Sequence, residues 1–147
     1  MRNRFFWMTS LVVAAIGLAD AIYLTWVKLA HQAVFCPGYG GCDTVNTSPY
    51  SEIAGLPIAL IGAGAYLAVL ILLLLENTGN FWRENSSLLV FGISLAGVLF
   101  SAYLTYIEIA VIHAICLYCV TSAVAILILF ILTILRLVNH QAEINPI

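Results

Sequence analysis

Four apolar stretches, each long enough to cross a bilayer, dominate this chain: residues 5–27, 57–75, 87–109 and 113–138. A hydrocarbon core of about 30 Å needs about 20 helical residues at about 1.5 Å each. In lipid the backbone must satisfy its own hydrogen bonds, so each stretch is predicted to be a helix. The composition agrees. Of 147 residues, 63% are hydrophobic and 8% charged, where a soluble domain has about 45–50% and about 25%. So few charges cannot cover a globule this small, and the surplus apolar surface must face lipid. The expected fold is an all-α integral membrane bundle of four transmembrane helices, with residues 1–147 forming a single membrane domain. A net charge of −2 without a basic patch argues against nucleic acid. The first stretch also has the look of a signal peptide, with Arg2 and Arg4 ahead of it and Ala19-Asp20-Ala21 as a small-x-small cleavage site. The apolar run continues to Trp26 and Val27, which suits a span better.

The basic residues orient the spans. Arg2 and Arg4 precede the first, Arg83 lies between the second and third, and Arg136 ends the fourth; only Lys28 falls on the opposite side. Positive residues favour the cytoplasm. Both termini and the 76–86 loop are therefore expected in the cytoplasm of a cell whose inner or plasma membrane holds the chain. The 28–56 loop and the turn at 110–113 are expected outside. Cys36 and Cys42 then sit in the first outer loop, and Cys116 and Cys119 in the first turns of the fourth span, which starts from the same face. All four thiols fall on the side where disulfides persist.

Cys116-Leu117-Tyr118-Cys119 is a C-x-x-C at a helix start. Positions i and i+3 share a helix face, so the sulfurs can meet. The helix N-terminus favours a thiolate. Cys119 should lie about 4.5 Å deeper than Cys116, near lipid level. Cys36 and Cys42 are joined by Pro37-Gly38-Tyr39-Gly40-Gly41, whose three glycines give a flexible link. Two dithiols on one side suggest a relay by thiol–disulfide exchange. Each has plainer readings. A single cysteine in a membrane helix is usually a small apolar packer, and two static disulfides would also fit. Zinc suits the C-x-x-C half, but C-x₅-C is wider than the usual spacing, so no metal is expected.

The chain also repeats. Gly17, Tyr23, Leu24, Thr25 and Cys36 recur 80 residues later as Gly97, Tyr103, Leu104, Thr105 and Cys116. The first and third spans run the same way, so this is a parallel repeat. Lys28 and Glu108 occupy equivalent positions at the outer interface, either paired with each other or snorkelling independently. Asp20 is an acid inside a span. Such residues are functional suspects, here for handling protons released by thiols, although bonding a hydroxyl or a water is the plainer reading.

The run from Cys42 to Ser51 (Cys-Asp-Thr-Val-Asn-Thr-Ser-Pro-Tyr-Ser), followed by Gly55-Leu56-Pro57 and then Cys116-Leu117-Tyr118-Cys119, resembles the vitamin K epoxide reductase family, in particular its bacterial and archaeal homologues. The resemblance covers about residues 17–135. It implies a four-helix bundle around a quinone, ubiquinone or menaquinone, with a short horizontal helix in the first outer loop, here around residues 48–54. It implies that Cys119 meets the quinone and Cys116 pairs with it. Cys42 then exchanges with Cys116, and Cys36 faces a secreted thioredoxin-fold partner. It also implies that Ser48 and Val45 lie near the quinone, Ser48 with a hydroxyl for its carbonyl; as an alternative, Ser48 caps the following turn. Ala123 stands where the animal enzymes have a tyrosine, and Ile58 where they have an asparagine that contacts vitamin K. Both departures speak against epoxide reduction. No thioredoxin-like domain follows the fourth span, so the partner is expected to be a separate protein.

The expected function is thus a membrane thiol:quinone oxidoreductase that generates disulfides. A vitamin K epoxide or quinone reductase and a non-catalytic, disulfide-stabilised scaffold are the alternatives. Two disulfide patterns fit one cycle: Cys36–Cys42 with Cys116–Cys119, or a Cys42–Cys116 bridge.

Overall fold

The computed structural model describes residues 2–38 and 40–145. Met1, Tyr39, Pro146 and Ile147, and the side chains of Arg2 and Asn3, lie outside the described residues. Tyr39 belongs to the expected flexible link.

Four long helices, α1 (Arg2–Leu29), α3 (Ile58–Leu75), α4 (Asn80–Ile107) and α5 (Leu117–Ile144), carry the four apolar stretches. Their most apolar windows have mean hydropathies of 1.9, 2.7, 2.0 and 2.6, and each helix is long enough to cross a membrane. This is the expected all-α multi-pass bundle. Helix α1 packs against α3 and α5, and α4 packs against α3 and α5, closing a four-membered ring. The outward faces expose Val12, Leu67, Leu99 and Val124. In water that would be a liability, whereas in lipid it is the solvated face.

Between the helices, small and slender groups let the backbones approach. Ala14, Ala63, Val69, Leu73, Val90 and Leu129 form the central core. Ser10 and Thr133 are buried among them, and each returns its hydroxyl to a carbonyl one turn earlier. Two glycines of the internal repeat mark the closest approaches. A Cβ on Gly17 would lie 2.4 Å from the Tyr66 ring of α3, and one on Gly97 2.7 Å from Ile126 of α5. At the end of the ring where α3 and α5 finish and start their exit, Arg136 forms a buried ion pair with Glu76. Trp7 there donates to the Leu73 carbonyl at 2.8 Å.

The structure moves three boundaries. Helix α4 begins at Asn80 rather than 87, because exposed Asn80, Arg83, Glu84 and Asn85 let the helix continue into water beyond the hydrocarbon. Helix α5 begins at Leu117 rather than 113. A π-turn, Glu108–Ile112, ends α4, and left-handed His113 (φ 54°) closes it with Ala114 N–H donating to the Glu108 carbonyl at 3.1 Å. The chain up to Cys116 therefore runs extended, and Cys116 stands at the N-cap of α5.

The third correction is in the first outer loop. The short helix expected around 48–54 lies earlier, as α2 (Cys42–Asn46), followed by a 3₁₀ turn over Pro49–Ser51. Residues 52–57 make a small hairpin of β1 (Glu52–Ile53) and β2 (Leu56–Pro57), joined by Ala54 and Gly55. Both have positive φ, as a two-residue hairpin turn requires.

Candidate functional site

The loop is fastened over one end of the bundle at several points. Helix α1 ends in a Schellman turn: left-handed His31 donates to the Lys28 carbonyl at 3.2 Å, and Gln32 donates to that of Val27 at 3.0 Å. Lys28, in the last turn of α1, donates through Nζ to the Asn46 carbonyl at 2.7 Å and to the Ser51 hydroxyl, and pairs with Glu52 at 3.2 Å. It neither pairs with Glu108 nor snorkels freely, because the loop folds back over it. Tyr23 and Tyr118 pack with ring centroids 5.1 Å apart and ring planes tilted by 42°. Together they hold Phe35: Tyr118 donates to its carbonyl at 2.8 Å, and its N–H donates to the Tyr23 hydroxyl at 3.3 Å. The tyrosine inside the C-x-x-C thus fixes the residue just before Cys36.

This fastening brings all four cysteines into one packed cluster. Cys42 and Cys116 are 0% and 1% exposed within it, and Cys36 and Cys119 pack against them, half-buried. Cys36 and Cys42 are joined in a disulfide, their Cα atoms 5.8 Å apart. Cys116 and Cys119 are free thiols. Of the two patterns allowed by the sequence, the outer disulfide is present, while the inner pair is reduced. The thiol of Cys119 hydrogen-bonds that of Cys116, and this chiefly holds Cys116 below the usual thiol range. Gly41 lies against the Ile115 backbone so closely that a Cβ would overlap the carbonyl. That approach brings the residue before Cys42 onto the residue before Cys116.

Behind the cysteines, a cavity of about 550 Å³ opens among the four long helices. Its size lies within the roughly 300–1,000 Å³ of small-molecule sites. Cys116, Cys119, Val45 and Ser48 line it, as do Ile58 and Ala123. Ser48 precedes the 3₁₀ turn but makes no side-chain cap; its hydroxyl donates back to the Val45 carbonyl at 2.7 Å. Asp20 lines the cavity, and its Oδ2 is buried without a hydrogen-bond partner, so the expected hydroxyl contact is absent for that oxygen among the described residues. Tyr66 meanwhile donates to the Ser122 carbonyl at 2.8 Å.

Glu108 is the residue that sequence reasoning misplaced. It is 5% exposed, and its Oε2 accepts the Cys116 N–H at 3.2 Å. It lines the same cavity as the Cys119 thiol. The available signal was an acid eight residues before a C-x-x-C. The π-turn that swings it inward left no mark on the sequence.

The profile of the Vitamin K epoxide reductase family matches residues 8–134. Thiol-disulfide oxidoreductase LTO1 of Arabidopsis thaliana is 34% identical over 123 residues. That alignment covers 80% of this chain and 33% of the plant protein, so the chain spans about a third of that relative's length.

Proposed function

We propose that this chain, which belongs to the vitamin K epoxide reductase family, is a membrane thiol:quinone oxidoreductase that generates disulfide bonds in a thioredoxin-fold partner. One observation carries the reading: a closed Cys36–Cys42 disulfide packs in one cluster with a reduced Cys116/Cys119 pair that lines an apolar cavity. The family membership and the name of the plant relative support thiol–disulfide chemistry.

In this reading a partner thiolate attacks Cys36, and the Cys36–Cys42 bond opens. The partner's second thiolate takes the partner sulfur back from Cys36, which closes the partner disulfide and frees the Cys36 thiolate. The Cys42 thiolate attacks Cys116, breaking an inner disulfide and releasing Cys119; Cys36 then attacks Cys42, re-forming the Cys36–Cys42 bond and releasing Cys116. Each exchange breaks one S–S bond as it makes another and moves two electrons inward. The observed state, outer pair closed and inner pair reduced, corresponds to the end of that transfer. The lowered thiol pKa of Cys116 suits its place as the exchanging sulfur.

The cavity fits a flat apolar ring. Val45, Ile58, Phe100, Ala123 and Ile126 line it and exclude water; Ser48 offers a hydroxyl, and Asp20 keeps one buried oxygen unpartnered. A bound quinone would supply a two-electron, two-proton acceptor beside Cys119. Because Ile58 and Ala123 offer no hydrogen bond there, the lining favours a plain quinone over an epoxide. The four-to-one distribution of basic residues supports cytoplasmic termini and an extracytoplasmic cysteine end.

The test combines the purified protein, a reduced thioredoxin-fold protein supplied in trans, and ubiquinone or menaquinone, with quinone absorbance followed. Wild type is expected to reduce the quinone, and Cys119→Ser to lose the activity by ~100-fold or more. Absence of reduction by wild type, or a variant of full activity, overturns the reading. A scaffold would lose stability in Cys119→Ser but have no turnover to lose.

A further inference from the structure

Glu108 is a buried acid with no ion-pair partner among the described residues. Lys28, which lines the same cavity, is engaged by Glu52, Ser51 and the Asn46 carbonyl. Arg136 is paired with Glu76. If the role of Glu108 were only to hold the Cys116 N–H, a neutral amide would serve at a smaller desolvation cost. Instead, a carboxyl group holds the Cys116 amide and lines one cavity with both thiols of the inner couple. A carboxylate that faces the chamber of a reacting thiol and its acceptor has the placement of a proton carrier.

We propose that Glu108 is a catalytic residue that takes the Cys119 thiol proton as the Cys116–Cys119 disulfide forms and delivers it into the cavity. The inference rests on the thiol:quinone reading. The balance is as follows. The Cys119 S–H bond breaks and its proton passes to a Glu108 oxygen. The Cys116–Cys119 S–S bond forms, and two electrons go to the quinone. Glu108 then gives its proton to one quinone oxygen and returns to a carboxylate. The Cys116 proton exchanges with solvent, from which the second oxygen takes its own, so two thiols and a quinone become a disulfide and a hydroquinone.

The test separates the two half-reactions in Glu108→Gln, which keeps the volume and an acceptor for the Cys116 N–H. Quinone reduction by the pre-reduced protein should fall by ~100-fold, and by clearly more than electron transfer from the reduced partner to Cys116/Cys119 falls. Glu108→Asp should recover part of the loss. A readout without quinone uses infrared difference spectroscopy as the inner pair is oxidised electrochemically. Wild type should gain a protonated-carboxyl C=O band that Glu108→Gln lacks. Full-speed quinone reduction in Glu108→Gln, equal losses in both half-reactions, no recovery in Glu108→Asp, or no carboxyl band in wild type would each overturn the proposal. If wild type reduces no quinone, the thiol:quinone reading fails, and the infrared band still decides whether Glu108 takes the proton.

Discussion

Gly41 has no side chain to spare, since the Ile115 backbone occupies the place of a Cβ. Gly40, one residue earlier, has nothing within 4 Å of that place. The two therefore make a controlled pair. Gly41→Ala should push α2 off the extended segment before Cys116, costing about 1–3 kcal/mol and slowing transfer from the outer to the inner pair. Gly40→Ala should leave both unchanged. Thermal unfolding and rapid-quench alkylation of the four thiols would measure stability and transfer, and equal behaviour of the variants would refute the close-contact account. Lys28 and Glu108 show what single residues concealed. Equivalent positions in a repeat fix their depth along the bundle. They do not fix the direction each side chain takes around its helix, and here one turns to the loop and the other to the thiols.

Among the elements, the glycines of the repeat have a shared task that spacing alone did not disclose. Gly17 lets α1 approach Tyr66 of α3, and Gly97 lets α4 approach Ile126 of α5. Gly17→Ala and Gly97→Ala should each destabilise the bundle by about 1–3 kcal/mol, since packed helices cannot part by a methyl without losing contacts along their length. Gly92→Ala, on α4 with open space around it, is the control. Unfolding in detergent by denaturant would rank the three, and a loss in Gly92→Ala as large as in Gly97→Ala would refute the close approach as the cause. The π-turn at Glu108–Ile112 was not legible, because its register depends on where Glu108 and Cys116 meet across the turn. The same holds for the loop helix at Cys42–Asn46, which the packing of Cys42 and Val45 against the bundle end sets.

For the whole molecule, the shared cysteine end turns orientation into a measurable property. A membrane-impermeant thiol reagent added to intact cells after mild reduction should label Cys36, with no further gain on lysis. Labelling only after lysis would reverse the proposed orientation and place the disulfide chemistry on the cytoplasmic side. Arg136, one of the basic residues behind that orientation, is held by Glu76 at the end of the bundle where α1 begins. Its charge thus has a packing role in addition to any topological one.

The sequence by itself determined that the chain is a four-helix membrane bundle, because an apolar span of about 20 residues has few other ways to satisfy its backbone in lipid. It also determined that two cysteine pairs share one end, because four spans return each odd-numbered loop to the same side. Only the tertiary structure decided which groups meet there: the closed outer pair against the reduced inner pair, the tyrosines on Phe35, and Glu108 on the thiols. Those contacts depend on helix rotation and loop path, which are set by close packing between segments far apart in the chain, and no local pattern of residues records them.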